Sequence, residues 1–205
     1  MKFSPLLALA LIFPSHAIPP PQTPPFVHPR GVDGQIIRSG SGEVNILDHG
    51  AIPGDDGDAY GNTKAFNEAL GVLQPGDTLK VPPETFNVVG GILATGLRNN
   101  TILFDGALSF AVDFDNWPLD SDGKNYQDGF KVTDSIDVVF TSSTTALFDG
   151  NGRVWWDKMI AGTLPPNRDD SRPKLVHFDN CADVLIEKLK LVNSPSWNLV
   201  ADGVR

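Results

Sequence analysis

The most constraining feature of this chain is a unit that recurs with unequal spacers between copies. A polar turn leads into a short apolar strand, a second turn and a second strand. In one copy Asn99-Asn100 precedes Thr101 to Phe104, then Asp105-Gly106, then Ala107 to Phe110. In the next, Asp134 to Asp137 precedes Val138 to Phe140, followed by Ala146 to Phe148 and Asp149-Gly150. In the third, Asn180 to Asp183 precedes Val184 to Ile186, followed by Leu189 to Leu191. One such unit has an apolar face and nothing to bury it against. Stacked units bury that face on their neighbours, and their strands then pair in parallel. Asn and Asp suit the turns, because their side chains bond nearby backbone and tolerate left-handed geometry. Short strands with regular turn signals also suit an antiparallel sandwich, and periodicity alone does not exclude it.

Upstream of the repeats, Val44 to Leu47 reads as a strand, followed by a turn-rich loop from Gly50 to Gly61. The spacing of Phe66, Ala69, Leu70 and Leu73 (i, i+3, i+4, i+7) predicts a helix over 62–73, with Asn62 as its N-cap and Pro75-Gly76 ending it. A helix placed there would shield the open end of a strand stack from edge pairing. Strands at 77–81 and 86–89 follow, separated by the bend Pro82-Pro83.

The N-terminus is a targeting segment. Lys2, the apolar run Leu6 to Phe13 and Ser15-His16-Ala17 fall in signal-peptide order, predicting cleavage after Ala17 and secretion. The run is too short to span a bilayer, and no later stretch is a transmembrane candidate. Residues 18–42 form a Pro-rich leader or linker that cannot build a core, which leaves 43–205 as one domain. The formal charge of −9 repels polyanions at long range, so nucleic acid is not an expected partner. A polyanionic sugar would need a local cluster of basic or amide groups. The single cysteine, Cys181, excludes an internal disulfide. It is either a buried small hydrophobe or paired outside this chain, and the adjoining run Val184-Leu185-Ile186 favours burial.

Few motifs carry chemistry. The loop Gly54 to Asp58 holds three aspartates, but its spacing does not fit a calcium loop, and acids before a helix favour a helix N-terminus. Asp113 to Asn116 and Asp120 to Gly123 flank Trp117-Pro118 and read as one surface loop pinned by its tryptophan. After Asp149 to Gly152, the adjacent Trp155 and Trp156 point in different directions, one of them inward. His49 and His177 are not in metal-ligand spacing. Asn99-Asn100-Thr101 is the sole glycosylation sequon, and in a secreted chain it marks Asn99 as a glycan site on an exposed turn.

Taken together, these segments carry a resemblance. Val44 to Leu70 resembles the opening of secreted proteins of the pectin-lyase-like superfamily. Ala146 to Asp157, followed by Arg172 to Leu199 with its R-P-K-L and N-S-P-S-W segments, is similar to glycoside hydrolase family 28, the polygalacturonase type. The resemblance spans Glu43 to Arg205. It implies an all-β fold, a right-handed single-stranded parallel β-helix with an N-terminal capping α-helix. It implies a monomeric extracellular enzyme that hydrolyses pectic polysaccharide with inversion and without cofactor or metal. In such a reaction one carboxyl protonates the leaving oxygen and another activates water.

The family's active-site segments, N-T-D-G, a D-D pair, G-H-G and R-I-K, all follow the S-P-x-W strand. Here that strand reaches Trp197, and none of the four follows it. Asp55-Asp56 and Asp169-Asp170 are D-D pairs in the wrong place, so no catalytic residue is assigned. The expectation is a β-helix incomplete at its C-terminal end, with the catalytic half outside this chain. The rival expectation is a non-catalytic carbohydrate-binding β-helix protein.

Overall fold

The computed structural model describes residues 42–54, 57–164 and 172–205. The signal segment, nearly all of the leader, Asp55-Asp56 and Asp169-Asp170 lie outside the described residues.

Among the described residues, thirteen strands wind through three parallel sheets. The first sheet holds β1 (Glu43–Asn45), β2 (Thr78–Val81), β5 (Arg98–Phe104), β8 (Ile136–Thr141) and β11 (Ala182–Ile186). The second holds β3 (Thr85–Val88), β6 (Ala107–Phe110), β9 (Ala146–Asp149) and β12 (Leu189–Val192). The third holds β4 (Ile92–Thr95), β7 (Phe130–Thr133), β10 (Val176–Asp179) and β13 (Leu199–Asp202). The chain visits the sheets in turn, so each coil carries three strands. Every ladder between named strands is parallel, which excludes the antiparallel sandwich and makes the fold a parallel β-helix.

Sequence reading found two strands per coil and missed the third. The strands of the third sheet are four residues long, and each is separated from the next first-sheet strand by a two-residue corner. Of those corners, Gly96-Leu97, Asp134-Ser135 and Asn180-Cys181, the last two lie within the polar turns Asp134 to Asp137 and Asn180 to Asp183 that the sequence predicts. Their first residue is left-handed in every case, with φ of 70°, 53° and 51°. A second left-handed column, Asn99, Asp137 and Asp183, bends the start of β5, β8 and β11, and the ladder skips it. The predicted turn residues therefore lie partly inside strands.

Inward side chains stack in register from coil to coil. Leu79, Ile102, Phe140 and Ile186 form one column, and Ile92, Phe130, Val176 and Leu199 another. Phe104 sits where the sheets converge, its ring 4.7 Å from Phe148 and 5.8 Å from Phe140. Cys181 is buried, with its thiol near the Val132 carbonyl.

The helix α1 (Ala59–Val72) covers one end of the stack. It begins earlier than predicted. Asp58, not Asn62, is the N-cap, its carboxylate accepting from the Gly61 amide at 2.7 Å. Asn62 is buried instead and bonds Ile52 from both ends of its amide and the Asn87 carbonyl. Thr63 bonds both backbone groups of Val89, and Asn67 bonds the Gly91 carbonyl and the Leu93 amide. The helix thus satisfies exposed strand-edge groups as well as burying Phe66, Ala69 and Leu70. Val44 to Leu47 is not one strand: after β1, Asn45 accepts from the Leu47 amide and starts a 3-10 turn, Ile46–His49.

Candidate functional site

Two of the corners between the second and third sheets are enlarged. Residues 111–129 form a long loop, and residues 150–175 include a helix, α2 (Arg153–Ile160), that sequence reading did not predict. Gly152 donates to the Asn193 carbonyl at 2.7 Å, and a Cβ there would lie 2.3 Å from the Ser194 carbonyl oxygen. Only glycine lets α2 start this close to the neighbouring coil. Of the tryptophan pair, Trp155 is fully buried and Trp156 is exposed, under the Arg172 guanidinium at 4.0 Å from the ring. Trp155 packs on Phe114, Trp117 and Tyr126 at 4.5, 5.2 and 4.9 Å. Its indole N–H has no partner among the described residues. Trp117 is buried as expected, donating to the Gln127 carbonyl at 2.8 Å and lying so close to Gly90 that any Cβ there would clash. This aromatic cluster fastens the loop to α2, and the fastened loop stands beside the third sheet.

The outward face of that sheet follows from strand alternation. Ile92, Phe130, Val132, Val176 and Phe178 point into the core. Leu93, Lys131, Thr133, His177 and Asp179 therefore point out, and register places Val200 beside His177 and Asp202 beside Asp179. Between this face and the 111–129 loop lies a cavity of about 400 Å³. Lys131 and His177 reach it from the strands, Lys174 from the chain entering β10, and Asp120, Asn125 and Gln127 from the loop.

The polar groups form a lattice of alternating charge. His177 is 5% exposed, and both ring nitrogens meet carboxylates: Nδ1 lies 2.7 Å from Asp128 and Nε2 3.0 Å from Asp202. The other Asp128 oxygen accepts from the Lys174 backbone amide at 2.9 Å and lies 3.7 Å from its Nζ. Lys131 pairs with Asp179 at 2.9 Å. The hydrogen bond from Lys131 is the main reason the Asp179 carboxyl is held below the usual carboxylate range. Asp120 is held low by hydrogen bonds from the Asn125 side chain and the amides of Asn125 and Lys124.

His177 was seen in the sequence but not assigned a role. The alternation Val176-His177-Phe178-Asp179 places it on an outward face, but its carboxylate partners come from distant segments. Asn99 lies not in an exposed turn but at the left-handed bend inside β5, half-buried. Among the described residues no group of three or more His, Cys, Asp or Glu side chains is placed to hold a metal, and no helix is long and apolar enough to cross a membrane.

The sequence profile of glycosyl hydrolases family 28 matches residues 76–203. The chain belongs to this family. A Vitis vinifera protein named "Probable polygalacturonase" is 29% identical over 172 residues, covering 76% of this chain and 33% of that protein. A polygalacturonase of Juniperus ashei is 28% identical over 172 residues, covering 78% of this chain and 31% of its own length. This family 28 chain thus spans about a third of the length of the curated relatives it matches. In three dimensions it resembles a hyperthermoactive exopolygalacturonase from Thermotoga maritima, with a TM-score of 0.54 and 22% identity over 79% of this chain and 46% of that one. At that identity the structural likeness speaks for the fold alone.

Proposed function

We propose that this family 28 chain is part of a secreted hydrolase of pectic polysaccharide, one that cleaves galacturonic-acid-containing chains with inversion. In this reading the outward face of the third sheet, with its 111–129 wall, is a stretch of the polymer-binding groove. The general acid and base are not among these 205 residues. The observation that carries the reading is the family match over residues 76–203, which includes the strands and the wall that form this groove. Residues 1–17 serve as the signal peptide, 18–42 as a leader and 43–205 as the N-terminal part of the β-helix domain, with Asn99 as a glycan site.

One experiment tests these parts together. Expressed in a secretory eukaryotic host, the chain is expected in the medium with Ile18 as its first residue and with a mass that falls on glycosidase treatment. The purified product is expected to be retained on immobilised polygalacturonate and to release no reducing ends from it. Reducing-sugar release by the pure chain would refute the placement of the acid and base elsewhere. Retention on neutral galactan but not on polygalacturonate would overturn the substrate class.

A further inference from the structure

His177 is buried between two carboxylates that differ in kind. Asp128, at the foot of the 111–129 loop, has a side chain 11% exposed. Besides Nδ1 of His177 at 2.7 Å, it meets the Lys174 amide at 2.9 Å and Nζ at 3.7 Å. Asp202, on β13, has a side chain 65% exposed. Among the described residues its carboxylate meets only Nε2 of His177, at 3.0 Å.

The strand register adds a constraint. Asp202 stands directly opposite Asp179 on β10, and like charges facing one another on neighbouring strands oppose the pairing. Asp179 is offset by Lys131, which reaches it from β7 at 2.9 Å. Asp202 has only the imidazole. The other charged groups around the ring are already engaged. Lys131 is its register neighbour on β7, Lys174 turns to Asp128, and Asp120 of the loop is held by Lys124 and Asn125. On β13 the register neighbour of His177 is the uncharged Val200.

An imidazole has two N–H donors when charged and one when neutral. A ring with one proton can donate to only one of these two carboxylates. Asp128 has the stronger claim on it, because a carboxylate left unbonded costs more in a buried position than at Asp202, which water can reach.

We propose that His177 is a proton-operated tie between neighbouring coils, holding Asp128 in both of its protonation states and holding Asp202 only while Nε2 carries a proton. Loss of that proton leaves Asp202 between a ring lone pair and Asp179. Its carboxylate then turns to solvent, and the end of β13 loosens on β10. That end is where the Asn180 amide donates to the Asp202 carbonyl at 2.8 Å. The outward face of the third sheet thereby gains one free negative charge. The tie is present on the acid side, as long as Asp202 stays ionised, and is lost as pH rises through the titration of the ring. It does not depend on the substrate reading above.

The test is NMR of the secreted chain, isotope-labelled in the backbone and in histidine, from about pH 5 to 8, an interval that brackets an ordinary histidine. With rising pH, Nε2 is expected to lose its proton while Nδ1 keeps its own. Over the same interval the hydrogen-exchange protection of the Asn180 amide should fall about fivefold, the scale of one hydrogen bond, with first-sheet amides unchanged. His177→Gln, which keeps an amide donor but does not titrate, and Asp202→Asn, which removes the second charge, should each abolish this response. Loss of the proton from Nδ1 in place of Nε2 overturns the proposal. So does a ring that keeps one form throughout, or Asn180 protection that ignores the change. A response that survives in either variant overturns it as well. The wild-type readings decide the matter even if a variant fails to fold.

Discussion

The β-helix turns two kinds of corner that behave oppositely. From the third sheet to the first, the chain turns in two residues at Gly96-Leu97, Asp134-Ser135 and Asn180-Cys181. From the second sheet to the third, the connection runs over 89–91 in one coil, 111–129 in the next, 150–175 in the third and 193–198 in the last. The short corners interlock. Asn180 donates to the Asp134 carboxylate at 2.6 Å, and buried Ser135 accepts from the Leu97 amide while donating to the Thr133 carbonyl. An insertion there would break bonds that run from coil to coil. At the other corner the chain leaves the stack, and the long excursions bring their own aromatic cluster. The constant corner keeps register, and the variable corner builds the cavity wall. The excursions leave the repeat undisturbed because their aromatic cluster packs beside the stack, meeting its core where Trp117 lies against Phe110.

The largest expected effect sets one aromatic core against the other. Phe140 touches the rings of Phe104, Phe130 and Phe178 inside the stack. Phe140→Ala should lower global stability by about 3–5 kcal/mol in denaturant unfolding. Trp117→Ala should cost at most about half as much globally but accelerate protease cleavage within 119–125, because the loop detaches locally. Equal global losses without faster cleavage would make the excursions part of one cooperative core and break the distinction.

A smaller effect sharpens the account of the constant corner. Ser135→Ala leaves the buried Leu97 amide without its acceptor and should cost about 1–3 kcal/mol by chemical denaturation. A loss below about 0.5 kcal/mol, the scale of an ordinary surface substitution, would mean that these hydrogen bonds do not hold the register.

The smallest effect probes where an excursion touches the cap. Tyr60 on α1 donates to Asp113 of the 111–129 loop at 2.8 Å. Partial burial first, and then the Asp113 carboxylate, push the Tyr60 phenol up to about 12. The folded protein therefore holds the phenol proton more tightly than the unfolded chain. This contribution is fully present below the unfolded value near 10, and it is lost as pH rises through about 12. Asp113→Asn should move the Tyr60 titration, followed by NMR, part of the way back towards 10. An unchanged titration would sever the link between loop and cap.

Much of the stack was legible because its signals are local. Val138 to Phe140, Ala146 to Phe148 and the flanking Asn and Asp residues identify strands and turns without reference to anything distant. The third sheet was not legible as strands, because runs such as Phe130 to Thr133 are short and turn almost at once. Asn62 shows a different limit. As an N-cap candidate it is locally plausible, yet it is spent on Ile52 and Asn87, contacts that exist only once the helix lies on the coils. For α2, glycines on both sides and the paired tryptophans read as turn, and the helix is held by contacts of Trp155 with Phe114, Trp117 and Tyr126 that no local pattern encodes.

By itself, the sequence determined a recurring unit of short strands and turns and a capping helix near residue 60, which depend on apolar spacing and turn chemistry acting over a few positions, and its resemblance to family 28 implied the stacked parallel coil that the ladders then showed. Only the tertiary structure decided that His177 lies between Asp128 and Asp202, and that Lys131 and Lys174 share one cavity. These residues meet because parallel winding superimposes positions a full coil apart, and the insertions, which follow no repeat, set that separation along the chain.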